Sequence, residues 1–301
     1  MAIKIWTSDF AQMLPDIFEN RTVFLRSFGG LQTLTGVEAD SNFLSLKVSD
    51  TDVVIQNYSL DADVGFGEGT GSTSRFGERK EVKTVDVQVQ FDTPLAIHEG
   101  IDRFTVNDIP EQVVAERLAL HAVAWAEKYD SVMSAALSAA ASETLVEELK
   151  EAGIVKMFAD AHKAFVNNGV SNSIPWVAYV NTDVYDILVD SGLATSAKSA
   201  DVNISQQTLY HFKGFTLVEV PDTKFQEKDV AYFAADNIGV AGVGIEIART
   251  LDSEDFAGVA LQAAGKLGKY IPDKNKNAIL KGQITGDTTS TSTTSTTTEE
   301  A

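Results

Sequence analysis

The stretch NDIPEQVVAERLALHAVAWAEKYDSVMSAALSAAAS, residues 107–142, constrains the fold more than any other part of the chain. Val114, Leu118, Ala122, Trp125, Tyr129, Val132 and Leu137 recur at three- and four-residue spacing, which lays one apolar stripe along a helix. At 1.5 Å per residue that helix runs for roughly 50 Å. Asp108 stands where an N-cap is expected, Pro110 is tolerated in the first turn, and Glu111 completes the capping-box spacing. Such a helix is longer than the average globular helix and can act as a strut.

Upstream lies a second strong signal. The return segment EVKTVDVQVQF puts Val82, Val85, Val87, Val89 and Phe91 nearly on a period of two, and β-branched and aromatic residues also concentrate over 43–48 and 53–60. Between these extended arms stands VGFGEGTGSTSRFGERK, with glycine at every second position from Gly65 to Gly71. The separation is too long for a two-residue turn, so a long hairpin with a pliable end is expected. A phosphate-cradling G-x-G-x-x-G fails, because the third position falls on Thr70, Ser72 or Ser74 in the three possible frames, and a strand rather than a helix follows. A calcium loop of the EF-hand kind fails at its twelfth position, Ser72, where a bidentate glutamate is needed. Asp61, Asp63 and Glu68 leave room only for a weaker cation site.

The first 30 residues carry Phe10, Met13, Leu14, Ile17 and Phe18 at helical spacing, broken by Pro15, and read as an arm that needs a partner surface. After the long helix, residues 143–167 are expected to form a second helix split near Gly153. A strand at 176–180, a short helix at 182–188, two strands meeting at Lys213 and Gly214, and strands over 230–234, 239–249 and from Phe256 onward complete an α+β reading. A run of Ser and Thr at 288–298 cannot build a core and reads as a disordered tail.

Composition removes several chemistries. The chain has no cysteine, so thiolate metal sites and thiol nucleophiles are excluded. His98, His121, His162 and His211 are scattered without ligand spacing, and no G-x-S-x-G elbow occurs. No catalytic, cofactor-binding or metal-binding residue is named, and no enzyme is expected. The N-terminal segment lacks the apolar core of a signal peptide and no run is long enough to span a membrane, which leads to the expectation of a soluble cytoplasmic protein. With 43 acidic and 24 basic residues the formal net charge is −19, which opposes general adhesion to nucleic acid. Lys266, Lys269, Lys274, Lys276 and Lys281 form the one basic concentration, read as a solvated face or a patch for an acidic neighbour.

Taken in order, these elements resemble the major capsid protein of tailed bacteriophages, the HK97 fold. The resemblance rests on KTVDVQVQFDTPLAIHEGIDRFTVND running into RLALHAVAWAEKYDSVMSAAL, and on WVAYVNTDVYDILVDSG and LYHFKGFTLVEVPDTKF further on. It covers about residues 1–284 and implies an α+β fold with an N-terminal arm over 1–45, a long β-hairpin E-loop over 46–95, a peripheral domain with a long spine helix over 96–180, an axial domain with return strands over 181–284, and a tail over 285–301. It further implies hexamers and pentamers that close an icosahedral shell around double-stranded DNA, with a virion location, assembly in the host bacterial cytoplasm and a portal. Because the arm follows closely on Met1, a separate scaffolding protein without a large maturation cleavage is expected. Intersubunit contacts would fall on Phe10, Met13, Ile17 and Phe18 of the arm and on Gly67, Gly69, Gly71, Arg75, Phe76, Arg79 and Lys80 of the hairpin end. Lysine–asparagine crosslinking is not carried over, since no partner for Lys80 or Lys83 is identified. Two other readings stand beside it: an encapsulin-like nanocompartment with a protein cargo, and an array-forming surface or adhesion protein.

Overall fold

The computed structural model describes residues 22–35, 42–49, 53–61, 64–65, 74–79, 81–82, 84–92, 94–105, 110–191, 195–196 and 210–285. The chain divides into two compact units, one of residues 38–91 and one of residues 1–37 with 92–301.

The larger unit is built around helix α1, Pro110–Ala140. The expected stripe is there: Val114, Ala122, Trp125, Tyr129 and Leu137 are buried, joined by Ala126 and Met133, while Leu118 and Val132 are half-buried. The proposed cap at Asp108 lies outside the described residues. Two sheets flank this helix. The first has strands β1 (Leu31–Thr35), β4 (Leu95–Asp102), β11 (Val240–Asp252) and β12 (Gly258–Tyr270) in the order β1-β11-β12-β4, with β1 parallel to β11 and the other pairs antiparallel.

The second sheet is mixed and has seven strands: β5 (Glu143–Glu147), β6 (Trp176–Val180), β7 (Thr195–Ser196), β8 (Tyr210–Phe212), β9 (Phe215–Glu219), β10 (Asp229–Ala235) and β13 (Ile279–Ile284). Its order is β5-β13-β10-β6-β9-β8-β7. The run WVAYV of β6 is buried at every position, as a central strand covered on both faces should be. Helices α2 (Glu151–Asn167) and α3 (Thr182–Asp190) belong to this part, and Asn181 caps α3 by accepting the Val184 N–H at 3.1 Å. Lys213 and Gly214 both have positive φ, 47° and 87°, which is the two-residue turn that matches the twist of β8 and β9. The core here is aromatic: Phe158 of α2 meets Phe233 edge-on at 4.9 Å and Phe212 at 5.2 Å, and Phe165 meets Phe215 and Trp176 at 5.2 and 5.1 Å.

A clasp ties α1 to β4. Glu99 accepts a bidentate pair of hydrogen bonds from Arg117, and His121 Nε2 lies 2.8 Å from Oε2, the oxygen that also accepts from Arg117 Nε. A carboxylate only accepts, so His121 Nε2 carries the hydrogen. The Arg117 guanidinium first, and the His121 ring after it, hold the Glu99 carboxyl down to about 2 from an ordinary 4.5, against the upward push of burial.

Several expectations are corrected. Residues 143–147 form strand β5 rather than the start of a helix, because Leu145 turns inward while its neighbours face water, a two-residue period hidden in an acidic stretch. Gly153 does not split a helix but sits in the first turn of α2, where a Cβ would collide with the backbone carbonyl of Glu148. The strand from Gly258 is not the last, since β13 follows, and β1 and β4 were also absent from the sequence reading. The lysines do not form one patch: Lys266 is buried, Lys269 pairs with Asp92, Lys276 with Asp273 at 2.6 Å, and Lys281 reaches Ser138 at 3.2 Å.

Two outcomes follow from this packing. Phe158→Ala should cost about 3–5 kcal/mol, read as a lower urea midpoint at unchanged slope. Glu99 has a depressed folded-state pKa, so its contribution is present above its unfolded value near 4.5 and is lost as pH falls toward about 2. Glu99→Gln should therefore be less stable than the parent by about 1–2 kcal/mol at pH 6, with the gap closing as unfolding is measured at successively lower pH down to about 2.5.

Candidate assembly interface

The smaller unit, residues 38–91, is a hairpin in its described part. Strands β2 (Asn42–Ser49) and β3 (Thr84–Gln90) pair antiparallel, with a shift of register between Asn42 and Leu44. Phe43 is buried and packs at a tilt against Phe91, ring centroids 5.3 Å apart. Among the described side chains of this unit no other is buried. An isolated two-stranded hairpin is marginal in water, so such a ladder gains from burial against another surface.

Past the strands the two arms continue without a ladder. Residues 53–61 lack the strand geometry expected from their β-branched content, and side chains hold them to 74–79 instead. The Gln56 amide donates to the Glu78 carbonyl at 3.0 Å and accepts the Glu78 N–H at 3.1 Å, standing in for one rung of a sheet. Ser59 N–H donates to the Arg75 carbonyl at 2.9 Å, and Tyr58 meets Phe76 edge-on at 5.1 Å. Gly77, at φ 79°, lets the chain turn beside the Gln56 amide, where a Cβ would collide.

This frame displays apolar side chains to solvent. Val53 is 94% exposed, Ile55 95%, Leu60 83%, Phe76 78% and Val82 68%. Single exposed apolar residues are ordinary, but five in two adjoining stretches of one hairpin form a surface suited to burial against another molecule.

The expected contact residues separate into three groups. Phe76 is displayed as a contact residue would be, and Arg79 is exposed. Arg75 is half-buried and turns back on its own unit, its Nε donating to the Val64 carbonyl at 2.8 Å and its terminal nitrogen to the Asp61 carbonyl at 3.4 Å. Phe10, Met13, Ile17, Phe18, Gly67, Gly69, Gly71 and Lys80 lie outside the described residues, as do Asp63 and Glu68 of the weaker cation site. Val53, Ile55 and Leu60 were not singled out, and Val82 was read only as part of the alternating return segment. The signal of the first three was in the sequence, as VVIQNYSL, but it reads as a half-buried strand. Only the missing ladder shows that its apolar positions are free.

Among the described residues no group of three or more acidic or histidine side chains is placed to hold a metal ion, and no helix is long and apolar enough to cross a membrane. The histidines are occupied: His98 with Gln262 at 3.3 Å, His121 with Glu99, His162 with the Lys213 carbonyl at 2.9 Å, and His211 with Thr216 at 3.3 Å.

No family model matches the chain, and no curated protein does. Solved structures do. The chain is similar to a structure titled for Mycobacterium phage Che8, with 16% identity and a TM-score of 0.58 over 94% of this chain and 92% of that one. It is similar to the capsid of cyanophage P-SCSP1u, with 9% identity and a TM-score of 0.59 over 88% and 89%. A virus-like particle from Pyrococcus furiosus matches at 14% identity with a TM-score of 0.50, over 92% and 98%. At these identities the likeness establishes the fold: an α+β, HK97-like capsid fold.

The Gln56 rung has a measurable signature. Gln56→Ala should speed hydrogen exchange at the Glu78 amide by about tenfold, while moving global stability by less than about 0.5 kcal/mol. Nuclear magnetic resonance of the unassembled subunit reads both.

Proposed function

We propose that this chain is a structural shell protein, the major capsid protein of a tailed bacteriophage, and that its activity is self-assembly rather than catalysis. The observation that carries the reading is a hairpin with exposed Val53, Ile55, Leu60, Phe76 and Val82, set on a fold shared with phage capsids. Hairpin 38–91 is the E-loop, α1 is the spine helix, and the arm upstream of Thr22 and the hairpin end make the intersubunit contacts, including Phe10, Met13, Ile17, Phe18, Gly67, Gly69, Gly71, Arg79 and Lys80. Copies form hexamers and pentamers that close an icosahedral shell in the host bacterial cytoplasm, with a separate scaffolding protein and a portal, and the shell becomes the virion capsid. The net charge of −19 suits a container whose wall must not adhere to packed double-stranded DNA.

An apolar contact repeated at every subunit makes assembly sensitive to a single side chain. Ile55→Ser and Phe76→Ser should each leave the thermal unfolding of the subunit within about 2 °C of the parent. Each should lower the yield of closed particles by about tenfold or more, counted by negative-stain microscopy with and without a co-expressed scaffold. Monomers or dimers alone in the parent under both conditions would count against the shell. The likeness to the virus-like particle makes an encapsulin-like compartment the second reading, and the contents of purified particles, DNA or protein cargo, decide between the two.

A further inference from the structure

The chain leading into β1 forms a short plug. Residues Phe24–Phe28 make a 3-10 turn in which Phe24, Leu25, Ser27 and Phe28 are buried. Asp130, buried in the middle of α1, accepts the backbone N–H groups of Val23 and Phe24 on one oxygen, at 3.0 and 3.1 Å, and Lys224 Nζ on the other at 2.6 Å. One and two turns further along the same line of the helix stand Ser134 and Ser138. Ser134 receives Gln226 Nε2 and donates to the Tyr232 hydroxyl, both at 3.4 Å, and Tyr232 donates to Asp229 at 3.0 Å. Ser138 receives Lys281 at 3.2 Å and donates to the same Asp229 oxygen at 2.6 Å. The three helix residues thus hold a polar seam against β10, β13 and the turn at Lys224.

The plug touches this seam twice. Its backbone holds Asp130, and the Phe24 ring packs edge-on against Tyr232 and Tyr179 at 5.9 and 4.9 Å. If Val23 and Phe24 leave, the Asp130 oxygen that they share loses both of these donors, and the Tyr232 ring loses one of the two aromatic rings packed on it, Phe225 remaining. Asp130 then keeps only Lys224, and water entering where Val23 and Phe24 lay competes for the carboxylate that ties Lys224 to α1. Both losses therefore fall on the same helix–sheet contact.

We propose that residues 22–28 are a latch for α1: seating of the plug and closure of the seam over Asp130, Ser134 and Ser138 form one cooperative unit that opens below global unfolding. The coupling is a property of the subunit and does not depend on shell assembly. The test is native-state hydrogen exchange on the full chain as unassembled subunit, in rising urea, with β6 as the marker of global unfolding. Amides of 23–28, of 126–138 in α1 and of 229–235 in β10 should share one opening whose urea dependence is smaller than that of β6. Phe24→Ala should raise exchange in all three segments by a common factor of about tenfold or more. Asp130→Asn, which keeps the shape and loses the charge facing Lys224, should do the same to a smaller extent. Should Phe24→Ala fail to fold, the urea series on the parent decides alone. Exchange in 23–28 that rises while 126–138 and 229–235 stay within about twofold overturns the latch, as does merger of all three with the β6 opening.

Discussion

The larger unit depends on how one long helix is fixed in register between two sheets, and the carboxylate of Asp130 is where that register is set. An apolar stripe alone would let α1 slide, since Ala, Leu and Met packing is forgiving of small shifts. Buried directional groups are not forgiving, because each donor and acceptor must find its partner or be left desolvated. Asp130, Ser134 and Ser138 supply those groups toward the seven-stranded sheet, and Glu99 with Arg117 and His121 supplies them toward the four-stranded one. Burial pushes the Tyr232 hydroxyl up to about 12, so it remains a neutral donor to Asp229 at any ordinary pH.

The smaller unit follows the opposite rule. Among its described residues it has a tilted Phe43–Phe91 pair and a few side-chain bonds near its end, and Val53, Ile55, Leu60, Phe76 and Val82 face water. The helix is held by buried directional bonds, whereas the described part of the hairpin presents an adhesive apolar surface to solvent. The basic residues first picked as the adhesive do not all fit that description. Arg75 is turned inward on Val64 and Asp61, which leaves the apolar side chains as the main exposed chemistry of this region.

Much of the fold was legible because its strongest signals are periodic. The stripe on α1, the alternation in β3, and the Lys213–Gly214 turn all appear in the sequence as they appear in space. What was hidden had weak or misleading periodicity. Strand β5 lies in an acidic stretch next to a true helix, β13 is six residues long with a lysine and a glycine, and the plug at Phe24–Phe28 has no period at all. The plug also shows why the N-terminal region resisted division: apolar residues read as an arm for a neighbour include, from Phe24 onward, part of the chain's own core. In the hairpin the error ran the other way, since β-branched residues at Val53 and Ile55 promised a ladder that tertiary context does not provide.

The strand order of the seven-stranded sheet carries a consequence for timing. Strand β13, residues 279–284, is not an edge but lies between β5 and β10. As the chain leaves the ribosome from its N-terminus, β5 therefore waits without its only strand neighbour until more than a hundred later residues have emerged. The hairpin, by contrast, is local and complete long before. A nascent chain thus presents the exposed apolar side chains of its hairpin while the seven-stranded sheet is still incomplete.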